Sequence, residues 1–280
     1  MSRAGRRWRL PDVPPHVARR RRVLFASVLA LVGTAVAWPV VDAWQDGIGQ
    51  AAVPTPASAP PGPPRLGCTL QVGTRQLLLP SALAMVLTDL AGQDQNNAAP
   101  LATTSRQVAV AWPVQAARAD AIATSLRGYV PAALACASSL PEAPLEAMQP
   151  DGLTGRANDL WTAVKHIFGP LPAGGFMPGG VTTGHVPGSA HYEGRAIDFL
   201  YRPITAKSIR HGWVLAQWLV AHAQQLQVAT VIFDAQVWTP GDWNQRGWRP
   251  YVYPDGTTTN PTLLHYDHVH VDVQRGSPPS

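Results

Sequence analysis

Charge is scarce in this sequence. Of its 280 residues only 14% are Asp, Glu, Lys or Arg, against roughly one quarter in an ordinary globular protein. That scarcity excludes a coiled coil and a disordered acidic or basic effector, while 46% apolar residues suffice for a buried core. Thiols are scarcer still: two cysteines, Cys68 and Cys136, are too few for a thiolate zinc site. From Arg65 to Pro141 there is no Glu, no His and only three Asp. A glycosidase needs two placed carboxylates, so catalysis is not expected in that stretch. No fixed-period repeat is visible.

The basic charge that exists is concentrated. The first 22 residues hold eight Arg and one Asp, whereas the remainder holds 14 basic against 16 acidic residues. The globular part is therefore slightly acidic, and nucleic acid is not an expected partner. Directly after Arg19-Arg20-Arg21-Arg22 come nineteen residues without a charge, Val23 to Val41. That length spans a bilayer as a helix, and the flanking arginines orient it with the N-terminus inside. Ala35-Val36-Ala37 also fits a small-residue cleavage site. The expectation is a basic cytoplasmic tail (1–22), a membrane anchor or cleaved signal segment (23–41) and a semi-rigid Pro/Ala linker (42–65). The rest is expected outside the cytoplasm, tethered to the membrane through residues 23–41 or secreted. In that compartment Cys68 and Cys136 read as a disulfide.

Residues 66–145 read as a small cysteine-bracketed module without an assignable role. Helices are expected over Ser81–Leu90, with Ser81 as N-cap, and Val114–Leu126, separated by a loop at Gln93–Pro100. Residues 146–276 differ in kind, holding eight of the nine histidines. Here the pattern predicts a helix over Leu153–Phe168 that stops at Gly169-Pro170 and a glycine-rich loop at Gly174–Gly188. A strand at Arg195–Leu200, a helix over Ser208–Leu226 and a strand at Val228–Phe233 follow. A long loop, Asp234–Pro261, then leads to a strand at His268–Val273. Without a regular βαβ rhythm the class is α+β.

Two motifs carry chemistry: Ser189-Ala190-His191-Tyr192-Glu193-Gly194-Arg195-Ala196-Ile197-Asp198, and His265-Tyr266-Asp267-His268-Val269-His270. Strand side chains alternate, so His268, His270 and Asp272 share one face and Val269, Val271 and Val273 the other. A His, an Asp and a later His supply two nitrogens and one oxygen, a normal catalytic zinc set. His185 and His265 flank the motifs and read either as ligands or as loop residues, while His211 and His222 on the long helix read as structural.

The pattern S-x-H-x-x-G-x-A-x-D followed by a late H-x-H resembles the zinc D-Ala-D-Ala carboxypeptidases and their hedgehog/lysostaphin-type relatives, in their exported bacterial branch. The resemblance runs from about Leu153 to Val273 and includes Gly179-Gly180-Val181-Thr182-Thr183-Gly184-His185. It implies a small α+β domain with an antiparallel sheet and flanking helices at a Zn2+ site. It also implies His191, Asp198 and His270 as the metal ligands. Many members carry a Glu as base three residues before the last ligand; Asp267 stands there, and other relatives use the first His of H-x-H, here His268. Asp267 is therefore expected as base with His268 stabilising the oxyanion, an order that reverses if Asp267 falls on the opposite strand face. Ser189 is expected beside the first ligand. With His185, Trp248 and Tyr251 it makes up the residues expected to face substrate. No Arg stands where carboxypeptidases clamp a terminal carboxylate. The expected function is zinc-dependent hydrolysis of peptidoglycan stem peptides or cross-links. The alternative is a wall-peptide-binding module, with or without zinc, that does not cut.

Overall fold

Alternating side chains open the part of the chain that the computed structural model describes, residues 67–241 and 247–278. The basic tail, the apolar run 23–41 and the linker 42–65 lie outside the described residues. Strands β1 (Cys68–Val72) and β2 (Arg75–Leu79) form an antiparallel hairpin turning at Gly73, whose φ of +58° suits glycine. Leu77 and Leu79 point inward while Leu78 is exposed. Helices α1 (Ser81–Asn96), α2 (Leu101–Ala111) and α3 (Ala116–Thr124) follow, the last running into a π turn at Ser125–Tyr129. Strand β3 (Leu134–Cys136) then returns beside β1, giving the order β2-β1-β3. Cys68 and Cys136 stand opposite each other in that register and form the expected disulfide.

The hairpin and α2 were not expected from the sequence, and α1 runs through the first part of the expected loop at 93–100. Its N-cap is Pro80, with Ser81 the first helical residue. A tertiary contact holds its last turn: buried Asp94 accepts a 2.6 Å hydrogen bond from Thr104 of α2, and Arg127 lies 4.0 Å away. Local composition at Gln93–Asn96 gives no sign of that partner.

Helix α4 (Gly155–Phe168) starts at a Thr154 cap, after the expected start at Leu153, and stops at Gly169 as expected. Then come β4 (Ala173–Gly174), a 3-10 turn at Ala190–Glu193 and β5 (Ala196–Leu200). Helix α5 (Ala206–Ala221) opens with a Thr205/Ser208 capping box and is followed by short α6 (Ala223–Leu226). Strands β6 (Val228–Phe233), β7 (Gln236–Trp238), β8 (Arg249–Pro250) and β9 (His268–Val273) complete an antiparallel sheet of order β4-β5-β9-β6-β7-β8. β7 and β8 fall within the stretch expected as loop. The class is mixed α and β with small antiparallel sheets. No helix among the described residues is long and apolar enough to cross a membrane.

Residues Gly212–Ala221 of α5 are buried in an unbroken run, which an amphipathic surface helix would not show. The helix is enclosed, with β6 against it on one side and α1, the π turn and β3 on others. Gly212 permits the approach, since a β-carbon there would overlap the Phe233 ring. Residues 66–145, expected as a module of their own, thus share one hydrophobic core with residues 146–276. Polar ties cross the same seam. Buried Gln217 accepts from the Leu134 N–H at 3.0 Å and donates to the Ser125 carbonyl at 3.3 Å, and Trp218 Nε1 donates to Asp89 at 2.7 Å.

Candidate metal centre

β5 and β9 pair so that Asp198 stands directly opposite His270. The alternation of both strands sends Ile197, Phe199, Val269, Val271 and Val273 into the core, which leaves Asp198, His268, His270 and Asp272 together on the other face. His191 arrives from the 3-10 turn. Ser189 caps that turn, its hydroxyl accepting from the His191 N–H, and Gly194 ends it in the left-handed region. A side chain at Gly194 would press on the Gly152 carbonyl, so the turn between ligand loop and strand requires glycine.

Three donor atoms converge. His191 Nε2 lies 3.0 Å from His270 Nδ1 and 3.2 Å from Asp198 Oδ1, and His270 Nδ1 lies 3.0 Å from the same oxygen. With metal–ligand bonds of 2.0–2.2 Å, the edge of a tetrahedral zinc site is about 3.3 Å. The triangle is therefore close to the right size, and its two nitrogens and one oxygen suit zinc. Each imidazole is oriented from behind. His191 Nδ1 donates to the Gly175 carbonyl at 2.8 Å, which turns the Nε2 lone pair inward. Asp272 Oδ2 lies 3.5 Å from His270 Nε2.

Gly175 carried no signal beyond its place in the glycine-rich loop, yet it is the residue on which His191 leans. Its φ is +80°, and a β-carbon would overlap the His191 ring and stand 2.9 Å from Asp198 Oδ2. Electrostatics follow the same contacts. Burial alone would raise Asp198, but hydrogen bonds from His191 and His270 outweigh it and hold the carboxyl far below its usual range. Burial would lower His270, but its contacts with the Asp198 and Asp272 carboxylates win and hold the imidazole at about 9.

Asp267 lies behind His268, not in the triangle. Its Oδ1 accepts from His268 Nδ1 at 2.7 Å, and its Oδ2 accepts from Arg202 Nε at 2.8 Å and Thr262 Oγ1 at 2.9 Å. Both carboxylate oxygens are thus engaged by the protein's own donors. Burial opposes ionisation of Asp267, yet the His268 and Thr262 hydrogen bonds and the Arg202 charge hold its pKa below the usual value. The far nitrogen of His268 reaches toward the triangle, 3.7 Å from Asp198 Oδ1. The His268 imidazole thus faces the triangle and the Asp267 carboxylate lies behind it. Arg202 and Thr262, not singled out in the sequence, complete this arrangement.

The residues expected to face substrate divide. His185 stacks on His191 with ring centroids 3.9 Å apart, and ligand atoms of His185, His191 and Asp198 all lie within 4.8 Å of one another, a group that could hold a metal ion. Tyr251 packs edge-on against His265 at 4.9 Å, and His265 in turn lies 4.7 Å from His268. Ser189 spends its hydroxyl on the turn. Trp248 belongs to the packing seam: it meets Trp213 at 5.0 Å, and its Nε1 donates to the Leu134 carbonyl at 2.9 Å. Its indole N–H is thereby used inside the protein. His222 bonds Trp218's carbonyl and lies 3.3 Å from Asp89, a carboxylate partner that the sequence did not show.

No match was found among curated proteins or among solved structures. Residues 150–262 are similar to the family described as VldE, C-terminal domain, a stretch under half of the chain that takes in His185, His191 and Asp198 and ends before His265.

Proposed function

We propose that this chain is an exported zinc metallopeptidase that hydrolyses amide bonds in peptidoglycan stem peptides or cross-links. The observation that carries the reading is the His191–Asp198–His270 triangle with edges of 3.0–3.2 Å, beside an imidazole oriented by a carboxylate. Bound there, zinc supplies Lewis-acid polarisation of a scissile carbonyl and acidifies water near neutral pH.

The chain's own groups do the remainder. His191 and His270 present nitrogens whose direction is set by Gly175 and Asp272. Asp267 accepts a hydrogen bond from His268 Nδ1–H, which leaves Nε2 toward the site. His268 then takes a proton from the attacking water and returns it to the leaving amine, its transient positive charge offset by Asp267. Arg202 and Thr262 hold Asp267 in place meanwhile. The location rests on the sequence: an arginine block followed by nineteen uncharged residues, then a disulfide-bonded region.

The test is incubation of the full chain with purified muropeptides, with added zinc or with a chelator, reading products by mass spectrometry. Zinc-dependent loss of a defined fragment supports the reading and names the bond. Intact muropeptides in the presence of zinc-loaded protein overturn it in favour of a binding module.

A further inference from the structure

His185 is built unlike His191, His268 and His270. The rings of His191, His268 and His270 are each oriented by a hydrogen bond. No hydrogen bond among the described residues fixes the ring of His185. Its backbone, by contrast, is pinned twice: the Tyr192 hydroxyl accepts from the His185 N–H at 3.0 Å and donates to the His185 carbonyl. Tyr192 directly follows the ligand-bearing His191, so the loop tip is tied to the metal centre itself. Gly184 and Gly188, at φ +93° and +78°, flank the segment with open space where side chains would stand. The result is an anchored main chain carrying an imidazole that is held by ring contacts with His191 and Tyr192 rather than by a hydrogen bond, stacked on one donor of the triangle.

We propose that His185 is a fourth, displaceable protein ligand of this centre. The inference rests on the metal reading above and adds to it a resting state. Ligand atoms of His185, His191 and Asp198 lie within 4.8 Å of one another, and bringing a pair of them to the tetrahedral edge of about 3.3 Å takes a shift of about 1.5 Å or less. The pinned backbone leaves that shift to the His185 side chain, which must close on His270 as well as on His191 and Asp198 to complete the set. Closed sites with four protein ligands are structural, and sites with three are catalytic; His185 moves the centre between the two. With the ring on the metal, the position a substrate carbonyl would use is filled. A substrate or small anion must displace it, and the apparent affinity for either falls by the fraction of molecules in which the ring is off.

The experiment uses the full chain loaded with Co2+, whose visible absorption reports the number and type of ligands, titrated with azide. If His185 is off in about one molecule in ten, His185→Ala should respond at about tenfold lower azide concentration than the unaltered protein. Its azide-free spectrum should differ as well. Tyr192→Phe, which releases the loop from its anchor, should shift the azide response in the same direction. Identical spectra and azide curves for the unaltered protein and His185→Ala overturn the proposal while leaving the metal centre standing. Failure of the unaltered protein to bind Co2+ overturns the metal reading, and this inference with it.

Discussion

At neutral pH the metal-free triangle carries a proton, because His270 is held at about 9. Metal uptake must displace it, so metal affinity should rise as pH is raised from about 6 to about 9; competition against a chromogenic chelator measures this, and a flat profile contradicts the assignment. Stability of the metal-free protein should bend at both ends. His270 is raised above the unfolded value of about 6.5, so its contribution is complete below that pH and is lost as pH rises through about 9. His265 is pushed down to about 2, by burial first and then by the neighbouring His270 and His268. The unfolded chain therefore takes up that proton first, and stability is lost as pH falls from about 6.5. Thermal melts should peak near pH 6.5, with zinc flattening the alkaline limb and His265→Asn the acid one. Removing a proposed ligand and removing the proposed base should also separate cleanly. His270→Ala should release the metal with the fold largely kept, which metal analysis and circular dichroism check together. His268→Ala should keep metal and lower kcat by about 10²–10⁴-fold. Asp267→Ala should keep metal and cost less, about 10–100-fold. Equal rates for His268→Ala and the unaltered protein would return the base role to Asp267.

Of the two strands of the centre, β9 was the legible one because its alternation is strict. In β9 every second residue is Val, and those valines are the ones packed in the hydrophobic core, so the opposite face could be read before the partner strand was known. The loop elements were not legible in the same way. Gly175 supports His191 through a backbone carbonyl, and a backbone contact leaves no trace in side-chain pattern. Gly175→Ala should lower metal affinity at least about tenfold without touching a ligand, since the added carbon at φ +80° displaces the His191 ring; calorimetric titration with zinc gives the number. The order of Asp267 and His268 was likewise unreadable, because it depends on Arg202 and Thr262 arriving from elsewhere in the chain. The packing of Trp248 was hidden for a related reason: an aromatic in a long polar loop looks free until its indole N–H is found bonded to Leu134.

Composition set residues 66–145 apart, but composition does not report packing across a seam. α5 is enclosed partly by that segment, and Leu134 offers its N–H to Gln217 and its carbonyl to Trp248. A fragment beginning at Glu146 should therefore expose the α5 face and aggregate, whereas one beginning near residue 67 should melt cooperatively; expression with thermal melts distinguishes them. The bridge between Cys68 and Cys136 closes a loop of 68 residues, a span for which chain entropy gives roughly 4 kcal/mol. Replacing both cysteines by Ser should lower stability by about 2–5 kcal/mol in denaturant titration. The paired strands also limit how this protein can vary over generations. β9 lies between β5 and β6 and writes core and site on alternate letters of one word. Gaining or losing a single letter inside it would turn the valines toward the site and the histidines into the core together. Descendants of this chain can respell that word but cannot change its length by one.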